Sequence, residues 1–166
     1  GPTGLKAFHE GLLSTYGETI KPKTFDLYLK EIDRGELTDD DWKIIIEPLL
    51  HSMHSIGFRI ESHDNKTLTY SGDTDYCDGI IRLARKVNTL VLECSFPDDQ
   101  KVEGHLTPQL CARIACESQC ERLILSHFYP VCDASIKGNN KDLLKRLTNI
   151  YNGDIIFAED FARFTI

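Results

Sequence analysis

The spacing of apolar residues divides the chain into a β-rich first half and a second half in which helices and strands alternate. A helix is predicted over residues 4–16, where apolar side chains recur at helical spacing and Gly17 can end the helix. Apolar and polar residues then alternate over residues 25–29, which predicts a half-exposed strand. After an expected acidic turn at residues 35–41, a second strand is predicted over residues 42–50.

A hairpin and three helix–strand units complete the predicted fold. Residues 55–61 and 66–71 flank a turn-rich segment, a pattern that is typical of a β-hairpin. A last strand is expected over residues 161–166. The three predicted helices cover residues 75–86, 107–120 and 141–151, and the strands after them cover residues 89–93, 122–126 and 155–158. This alternation predicts the α/β class, and the absence of repeats and linkers predicts one domain over residues 1–166.

Composition narrows the classes of function that this chain can serve. At 166 residues, with 41% hydrophobic and 27% charged residues, the chain resembles an ordinary globular domain. A net charge of −7 argues against a protein that wraps nucleic acid by charge alone, although a local basic patch stays open. No apolar stretch reaches the roughly 18 residues of a membrane span, and no signal peptide is seen, so a cytoplasmic location is expected.

The six cysteines form no C-x-x-C pair, which argues against a zinc knuckle. They are expected to be free thiols of a reducing compartment, most of them filling the core.

Candidate functional side chains follow the predicted strands and loops. Asp73 lies in a Ser-Gly-Asp-Thr turn, where its carboxylate could reach a metal ion or simply bond nearby backbone amides. His127 follows three buried-strand residues and suits either a metal ligand or a hydrogen-bonded core histidine. Carboxylate and imidazole groups beyond the carboxyl ends of parallel strands are what a divalent ion and its water need.

Three further residues are candidates, and two of them allow two interpretations. Glu93 ends an apolar strand, so it is either a solvated carboxylate or a buried one that needs a partner, which His105 would provide. His105 precedes a helix start at Thr107, where the dipole favours a bound anion, but a surface-loop histidine fits equally. His51 follows a strand only three residues before His54, so the two histidines are not expected to face one site.

The motifs around these residues occur in the order of a known family. They are a histidine four residues before Ser-Ile-Gly-Phe-Arg (55–59), then Tyr-Ser-Gly-Asp-Thr (70–74), Glu-Cys-Ser-Phe (93–96), Gly-His-Leu-Thr (104–107) and Leu-Ser-His-Phe (125–128). Gly-Pro-Thr-Gly-Leu at residues 1–5 matches a helix-opening segment of the same family. The chain thus resembles the ribonuclease Z-like branch of the metallo-β-lactamase superfamily over nearly its whole length. The resemblance implies an αβ/βα sandwich, with this chain forming mainly its C-terminal half.

Roles for single residues follow from this resemblance. It implies that His51 is a ligand of a first metal ion, that Asp73 bridges two ions, and that His127 is a ligand of the second. His105 would contact the scissile phosphate or the leaving group, supported by Glu93. The intact protein would be a dinuclear metal-dependent hydrolase, acting on a phosphodiester or another ester through a metal-activated hydroxide. The two divalent ions would be zinc, with manganese or iron as alternatives.

Departures from the family pattern change the expected partners. The sequence contains no His-x-His-x-Asp-His motif, so we expect the chain to lack its N-terminal portion and to be inactive alone. The N-terminal half or a second copy would cover the open sheet face. No counterpart of the arm that grips transfer RNA is evident, so a small ester is favoured over nucleic acid, and no membrane partner is expected. Two alternatives stay open, a transfer-RNA 3′-end-processing endonuclease and a non-enzymatic structural or interaction half-domain.

Overall fold

All the strands lie in one mixed sheet whose spatial order follows the chain. The structure, a computed structural model, describes the backbone of residues 1–166 and the side chains of all but residues 134, 135, 137, 139 and 140. Strands β1 to β4 pair antiparallel, whereas β4 to β7 pair parallel. The strands are β1 (Gly35–Thr38), β2 (Trp42–Leu49), β3 (Ser55–Ser62), β4 (Thr67–Tyr70), β5 (Thr89–Glu93), β6 (Arg122–Ser126) and β7 (Asp154–Phe157).

Helices connect the parallel strands, because a parallel pair needs a long crossover. Helix α1 (Leu5–Tyr16) precedes the sheet, while α2 (Asp78–Leu83), α3 (Pro108–Ser118) and α4 (Pro130–Thr148) lead into β5, β6 and β7. Two 3₁₀ turns, Gly17–Ile20 and Asp98–Gln100, complete the elements. Within the described part of the chain, no helix combines the length and apolar character that crossing a membrane requires.

One face of the sheet forms the core with helices α2, α3 and α4. Leu90 and Leu92 of β5 and Leu123 of β6 are completely buried on this face, together with Ile114 of α3 and Leu147 of α4. Burying each such side chain contributes about 1.5–3 kcal/mol. This packing fixes the carboxyl ends of β5 and β6 against the helices, so the loops beyond them have a rigid base.

The opposite face of the sheet is also apolar. Phe58, Tyr70, Val91, Ile124 and Ile156 lie side by side in register across five strands. They alternate with the helix-facing residues, so they point away from α2, α3 and α4. Tyr70 is 49% exposed, whereas Ile124 is 4% exposed. The second face of the sheet is therefore apolar across these five strands, and the partner expected to cover it stays a prediction.

Four predicted elements were wrong at their bounds or in their type. Residues 25–29 form no strand, because Phe25 and Leu27 are both exposed and β1 occupies the sheet edge beside β2. The acidic turn expected at residues 35–41 is wrong in its first four residues, which form β1. Helix α4 begins at Pro130 rather than at residue 141, since proline suits the first helical position. Residues 161–166 form no strand, and Phe161 is fully exposed with a φ of 66°.

The cysteines are free thiols, as expected, and four of the six are buried.

Candidate active site

The loops after β2, β4, β5 and β6 meet at one end of the sheet, where the carboxyl ends of these four strands lie. Asp73 follows β4, Glu93 ends β5, and His127 follows β6. His51 follows β2, whose direction matches that of β4 because two antiparallel pairings separate the two strands. The loop before α3 brings in His105. This end is where open α/β sheets place their chemistry.

Glu93 and His105 form a buried pair at this end of the sheet. The Oε1 atom of Glu93 lies 3.0 Å from His105 Nδ1 and also accepts the Thr74 backbone N–H at 2.8 Å. The Ser95 hydroxyl donates to Oε2 at 2.5 Å. Because a carboxylate only accepts hydrogen bonds, it favours a proton on Nδ1 and turns Nε2 of His105 away from Glu93. The predicted approach of the two side chains is observed, and their catalytic role stays a prediction.

Asp73 and His127 form a second, open pair. Asp73 Oδ1 lies 3.4 Å from His127 Nε2, and the two side chains are 42% and 47% exposed. This separation exceeds the roughly 2.7–3.2 Å of an ordinary hydrogen bond. Two ligand atoms each about 2.1 Å from one tetrahedral ion are themselves about 3.4 Å apart. The donor atoms and their spacing therefore fit one divalent ion, although an ion pair with a protonated histidine has the same partners.

Backbone strain accompanies this second pair. Gly72 has a φ of 61°, which turns the chain sharply before Asp73, and Ser55 Oγ holds the Asp73 carbonyl at 2.6 Å. His127 has a φ of 57°, although it carries a side chain. A left-handed conformation costs a non-glycine residue about 1–2 kcal/mol. Such strain concentrates at functional sites, where the surrounding structure maintains it.

His51 lies against His105 rather than in the second pair. The two rings meet edge to face, with centroids 5.1 Å apart, and the Met53 N–H approaches His51 Nδ1 at 3.4 Å. Among the residues described, no cluster of three or more His, Cys, Asp or Glu side chains has the arrangement of a metal site. Of the three predicted ligands, the structure thus places Asp73 and His127 together and sets His51 beside the neighbouring pair.

Asp75 is an organising residue that the sequence pattern did not reveal. Its N–H donates to the Leu50 carbonyl at 2.6 Å, next to His51. Its Oδ2 accepts hydrogen bonds from Lys101 Nζ at 2.7 Å and from the Gly104 N–H at 2.9 Å. Asp75 therefore ties together the loops that carry His51, Asp73 and His105. The only sequence signal was an aspartate two residues after Asp73, which is too common in turns to be informative.

Hydrogen bonding at Asp75 also sets its charge. Burial, the largest influence, raises the pKa of this carboxyl. The hydrogen bonds from Lys101, Gly104 and the Tyr76 N–H act against burial, and together with the Lys101 charge they bring the pKa below its usual value. Asp75 is therefore a stable anion at neutral pH and keeps the Lys101 ammonium close to the loops.

An open, acidic cavity adjoins His127. It has a volume of about 780 Å³, and its lining includes Asp133, Glu159 and Asp160 as well as His127 itself. Carboxylates around a binding site repel a polyanion and attract cations. The charge of this cavity therefore fits a metal ion and a small substrate better than a long nucleic acid.

A family model, a sequence relative and a solved structure together show the family of this chain. The Beta-lactamase superfamily domain model matches residues 18–128, more than half of the chain. Ribonuclease Z of Anoxybacillus flavithermus is 23% identical over 220 aligned positions that cover 100% of this chain and 68% of that protein. The metallo-β-lactamase fold protein YhfI from Bacillus subtilis superposes with a TM-score of 0.73 at 22% identity, covering 95% of this chain and 59% of YhfI.

A second solved structure has the same fold. The short form of human tRNase Z superposes with a TM-score of 0.68 at 21% identity, covering 100% of this chain and 66% of that protein. The chain thus spans about two thirds or less of these proteins. The predicted fold class is confirmed, since both superpositions share the α/β sheet described above. The chain belongs to the β-lactamase superfamily domain family, within the metallo-β-lactamase fold.

Proposed function

We propose that this chain carries part of the active site of a dinuclear metal-dependent hydrolase that cleaves phosphodiesters. The observation that carries the proposal is the 3.4 Å separation of Asp73 Oδ1 and His127 Nε2 at the carboxyl edge of the parallel strands. That spacing suits two ligands of one ion, and both side chains are exposed enough to bind it. Ribonuclease Z, a relative along the whole chain, is named for cleaving the same kind of bond.

Asp73, His127 and His51 would hold the metal ions, with zinc expected and manganese or iron as alternatives. Divalent ions bound there would polarise the ester and lower the pKa of a water molecule towards neutrality. Asp73 would be shared by the two ions, since its carboxylate offers two oxygens, and the Ser55 hydroxyl fixes the backbone carbonyl of the same residue. In this chain the site is open, so further ligands must complete it.

His105 and Glu93 would act on the leaving group. The Glu93 carboxylate fixes the ring of His105 through Nδ1, which leaves Nε2 free to face a substrate. Nε2 can then donate a proton to a departing oxygen or stabilise its negative charge. Because Glu93 is 2% exposed and also accepts from Thr74 and Ser95, it can hold the imidazole without moving itself.

A transfer-RNA 3′-end-processing nuclease is the second candidate. The 23% identity to ribonuclease Z over the full chain favours it. The acidic cavity beside His127 and the net charge of −7 oppose it, since binding RNA depends on cationic contacts with phosphates. We therefore place a small phosphodiester first.

The test is hydrolysis by the full natural protein loaded with zinc or manganese. Bis(p-nitrophenyl) phosphate and a transfer-RNA precursor would be compared as substrates, with metal content measured on the same samples. We expect cleavage of the small diester, loss of metal and activity in Asp73→Ala, and no change in the control His63→Ala, an exposed histidine in the β3–β4 turn. Faster cleavage of the precursor at equal concentration would favour the second candidate. A protein without metal or hydrolysis would support the non-enzymatic half-domain.

A further inference from the structure

Two aromatic rings lie at the opening between the two pairs of the site. The rings of Phe96 and Tyr129 are stacked, with centroids 4.8 Å apart and planes 24° from parallel. The Tyr129 ring also meets His105 at 6.0 Å and His127 at 5.7 Å, both in edge-to-face geometry. Tyr129 therefore lies between the histidine of the buried pair and the histidine of the open pair.

The backbone holds Tyr129 in this place from both sides. Its N–H donates to the Ser95 carbonyl at 3.2 Å, and its carbonyl accepts the Asp133 N–H at 2.9 Å in the first turn of α4. Pro130 follows it at the start of the helix, which fixes the direction of the chain. A ring that is already ordered loses little conformational entropy when another ring stacks on it.

Tyr129 is not a core residue. It is 42% exposed, while Phe96 beneath it is half-buried. Backbone hydrogen bonds and ring contacts, rather than burial, hold the Tyr129 ring in this position. An ordered, exposed aromatic ring less than 7 Å from two candidate catalytic or metal-binding histidines is well placed to contact a substrate.

We propose that Tyr129, supported by Phe96, is a stacking platform for a planar aromatic group of the phosphoester substrate, and that this group is a nucleobase. The inference rests on the proposed function for the position of the phosphate and adds the class of group that the phosphate carries. Aromatic side chains bind bases through their π faces without needing cationic contacts. Glu159 and Asp160, which line the adjoining cavity, leave room for one nucleotide but repel a chain of phosphates.

Tyr129 is thus a specificity-determining residue that positions the substrate and takes no part in bond breaking. Loss of one aromatic–base stack weakens binding by about 5- to 150-fold, since such stacks are worth about 1–3 kcal/mol per base. The loss should fall on the binding of nucleotides and spare the binding of phosphates without a ring.

The experiment measures binding of AMP, ribose 5-phosphate and phenyl phosphate to the metal-loaded protein by calorimetry. AMP and ribose 5-phosphate differ by the base, so their ratio reports the platform. We expect AMP to bind about tenfold more tightly than ribose 5-phosphate. Tyr129→Leu should abolish that preference, and Tyr129→Phe should keep it. The control Tyr28→Leu, an exposed tyrosine in the segment before β1, should bind as the unaltered protein does.

The outcomes separate this inference from the proposed function. Equal affinity for AMP and ribose 5-phosphate in the unaltered protein would overturn the platform, whether or not diesters are hydrolysed. A base preference that survives in folded Tyr129→Leu would also overturn it. A preference that disappears in Tyr129→Leu supports the platform, even for a protein that hydrolyses nothing. Phenyl phosphate binding more tightly than AMP would overturn the nucleobase assignment in favour of a simple aryl group.

A kinetic measurement provides an independent readout for an active enzyme. Thymidine 5′-(p-nitrophenyl phosphate) and ethyl p-nitrophenyl phosphate release the same leaving group, but only the first carries a base. Tyr129→Leu should raise KM about tenfold more for the thymidine ester than for the ethyl ester, and should leave kcat for the thymidine ester nearly unchanged. A fall in kcat for both esters would instead make Tyr129 part of the catalytic or folding machinery.

Discussion

The two acid–histidine pairs of the site are chemically alike but differ in their surroundings. In the Glu93–His105 pair the side chains are 2% and 14% exposed, and the paired atoms are 3.0 Å apart. In the Asp73–His127 pair they are 42% and 47% exposed, and the paired atoms are 3.4 Å apart. The first pair is enclosed by protein, whereas the second faces solvent.

This difference shows how one edge of a sheet can supply two kinds of function. Glu93 accepts hydrogen bonds from Thr74 and Ser95 besides approaching His105, so few of its lone pairs remain for another ligand. Among the residues whose side chains are described, only His127 approaches the Asp73 carboxylate, so its oxygens remain available to an ion. We therefore expect the buried, saturated pair to orient an imidazole and the open, unsaturated pair to bind a metal ion.

The largest expected effect is on stability, from Glu93→Ala. Removing this carboxylate leaves the Thr74 N–H and the Ser95 hydroxyl buried without their acceptor, and frees His105. We expect a loss of about 2–4 kcal/mol in the free energy of unfolding, measured by urea titration. The matched change in the open pair, Asp73→Ala, should cost less than about 0.5 kcal/mol in the absence of metal.

Equal losses of stability from the two substitutions would contradict the difference between the pairs, because they would show that burial does not make the Glu93–His105 pair more important for folding. A far smaller loss for Glu93→Ala than for Asp73→Ala would reverse it. Far-ultraviolet circular dichroism of both variants would establish that each starts from the native fold.

The next effect separates catalysis from metal binding. In the metal-loaded full protein, His105→Ala should lower kcat about 10- to 100-fold while metal content stays unchanged, since the role proposed for His105 is to act on the leaving group and not to bind the ion. His127→Ala should lower metal content and activity together. Elemental analysis and initial rates on the same preparations would check this. Parallel losses of metal in both variants would make His105 a ligand.

Much of the sheet could be predicted from the sequence because its signals are local. Apolar runs at residues 89–93 and 122–126 became β5 and β6 with the predicted bounds. Three candidate site residues could be picked out because they lie near strand ends. Glu93 ends β5, His127 directly follows β6, and Asp73 lies in the loop after β4. The hairpin of β3 and β4 was identified in the same way, from turn residues between two strand patterns.

The remaining features depend on contacts between segments that are distant in sequence. The role of Asp75 arises from Leu50, Lys101 and Gly104, which no local pattern connects to it. Alternating residues such as Phe25 and Leu27 form a strand only beside a free sheet edge, and β1 holds that place. No role was predicted for Tyr129, because the helix was expected over residues 141–151 and begins instead at Pro130, directly after Tyr129.

A smaller effect concerns the pH dependence that Asp75 gives to the fold. Its folded-state pKa lies below the usual value of 3.8, so the folded protein binds this proton more weakly than the unfolded chain does. The stabilisation is therefore complete above pH 3.8 and is lost as pH falls through the lower folded-state pKa. Asp75→Asn should cost about 1 kcal/mol near neutral pH, and the difference from the unaltered protein should shrink towards pH 3 or below.

Urea titrations of both proteins at several pH values would measure this difference. A cost that stays constant over the whole acidic range would show that the asparagine disturbs packing rather than removing a charge. The exposed Asp154, which pairs with Arg122 at the surface, provides the control substitution Asp154→Asn, with an expected effect of at most about 0.5 kcal/mol.

An effect of similar size is expected at Gly104, which joins the enclosed pair to His51. Gly104 has a φ of 86°, and a Cβ added there would lie 3.3 Å from His51 Cδ2. Gly104→Ala should therefore destabilise the fold by about 1 kcal/mol through the left-handed backbone and shift the His51 ring by a few tenths of an ångström. The control Gly11→Ala, in α1 with open space around it, should instead stabilise by about 0.5–1 kcal/mol. If His51 is a ligand, Gly104→Ala also weakens zinc binding while Gly11→Ala does not, and calorimetric titration with zinc measures both. Unchanged zinc affinity in Gly104→Ala, alongside the expected loss of stability, would place His51 with the enclosed pair and outside the metal site.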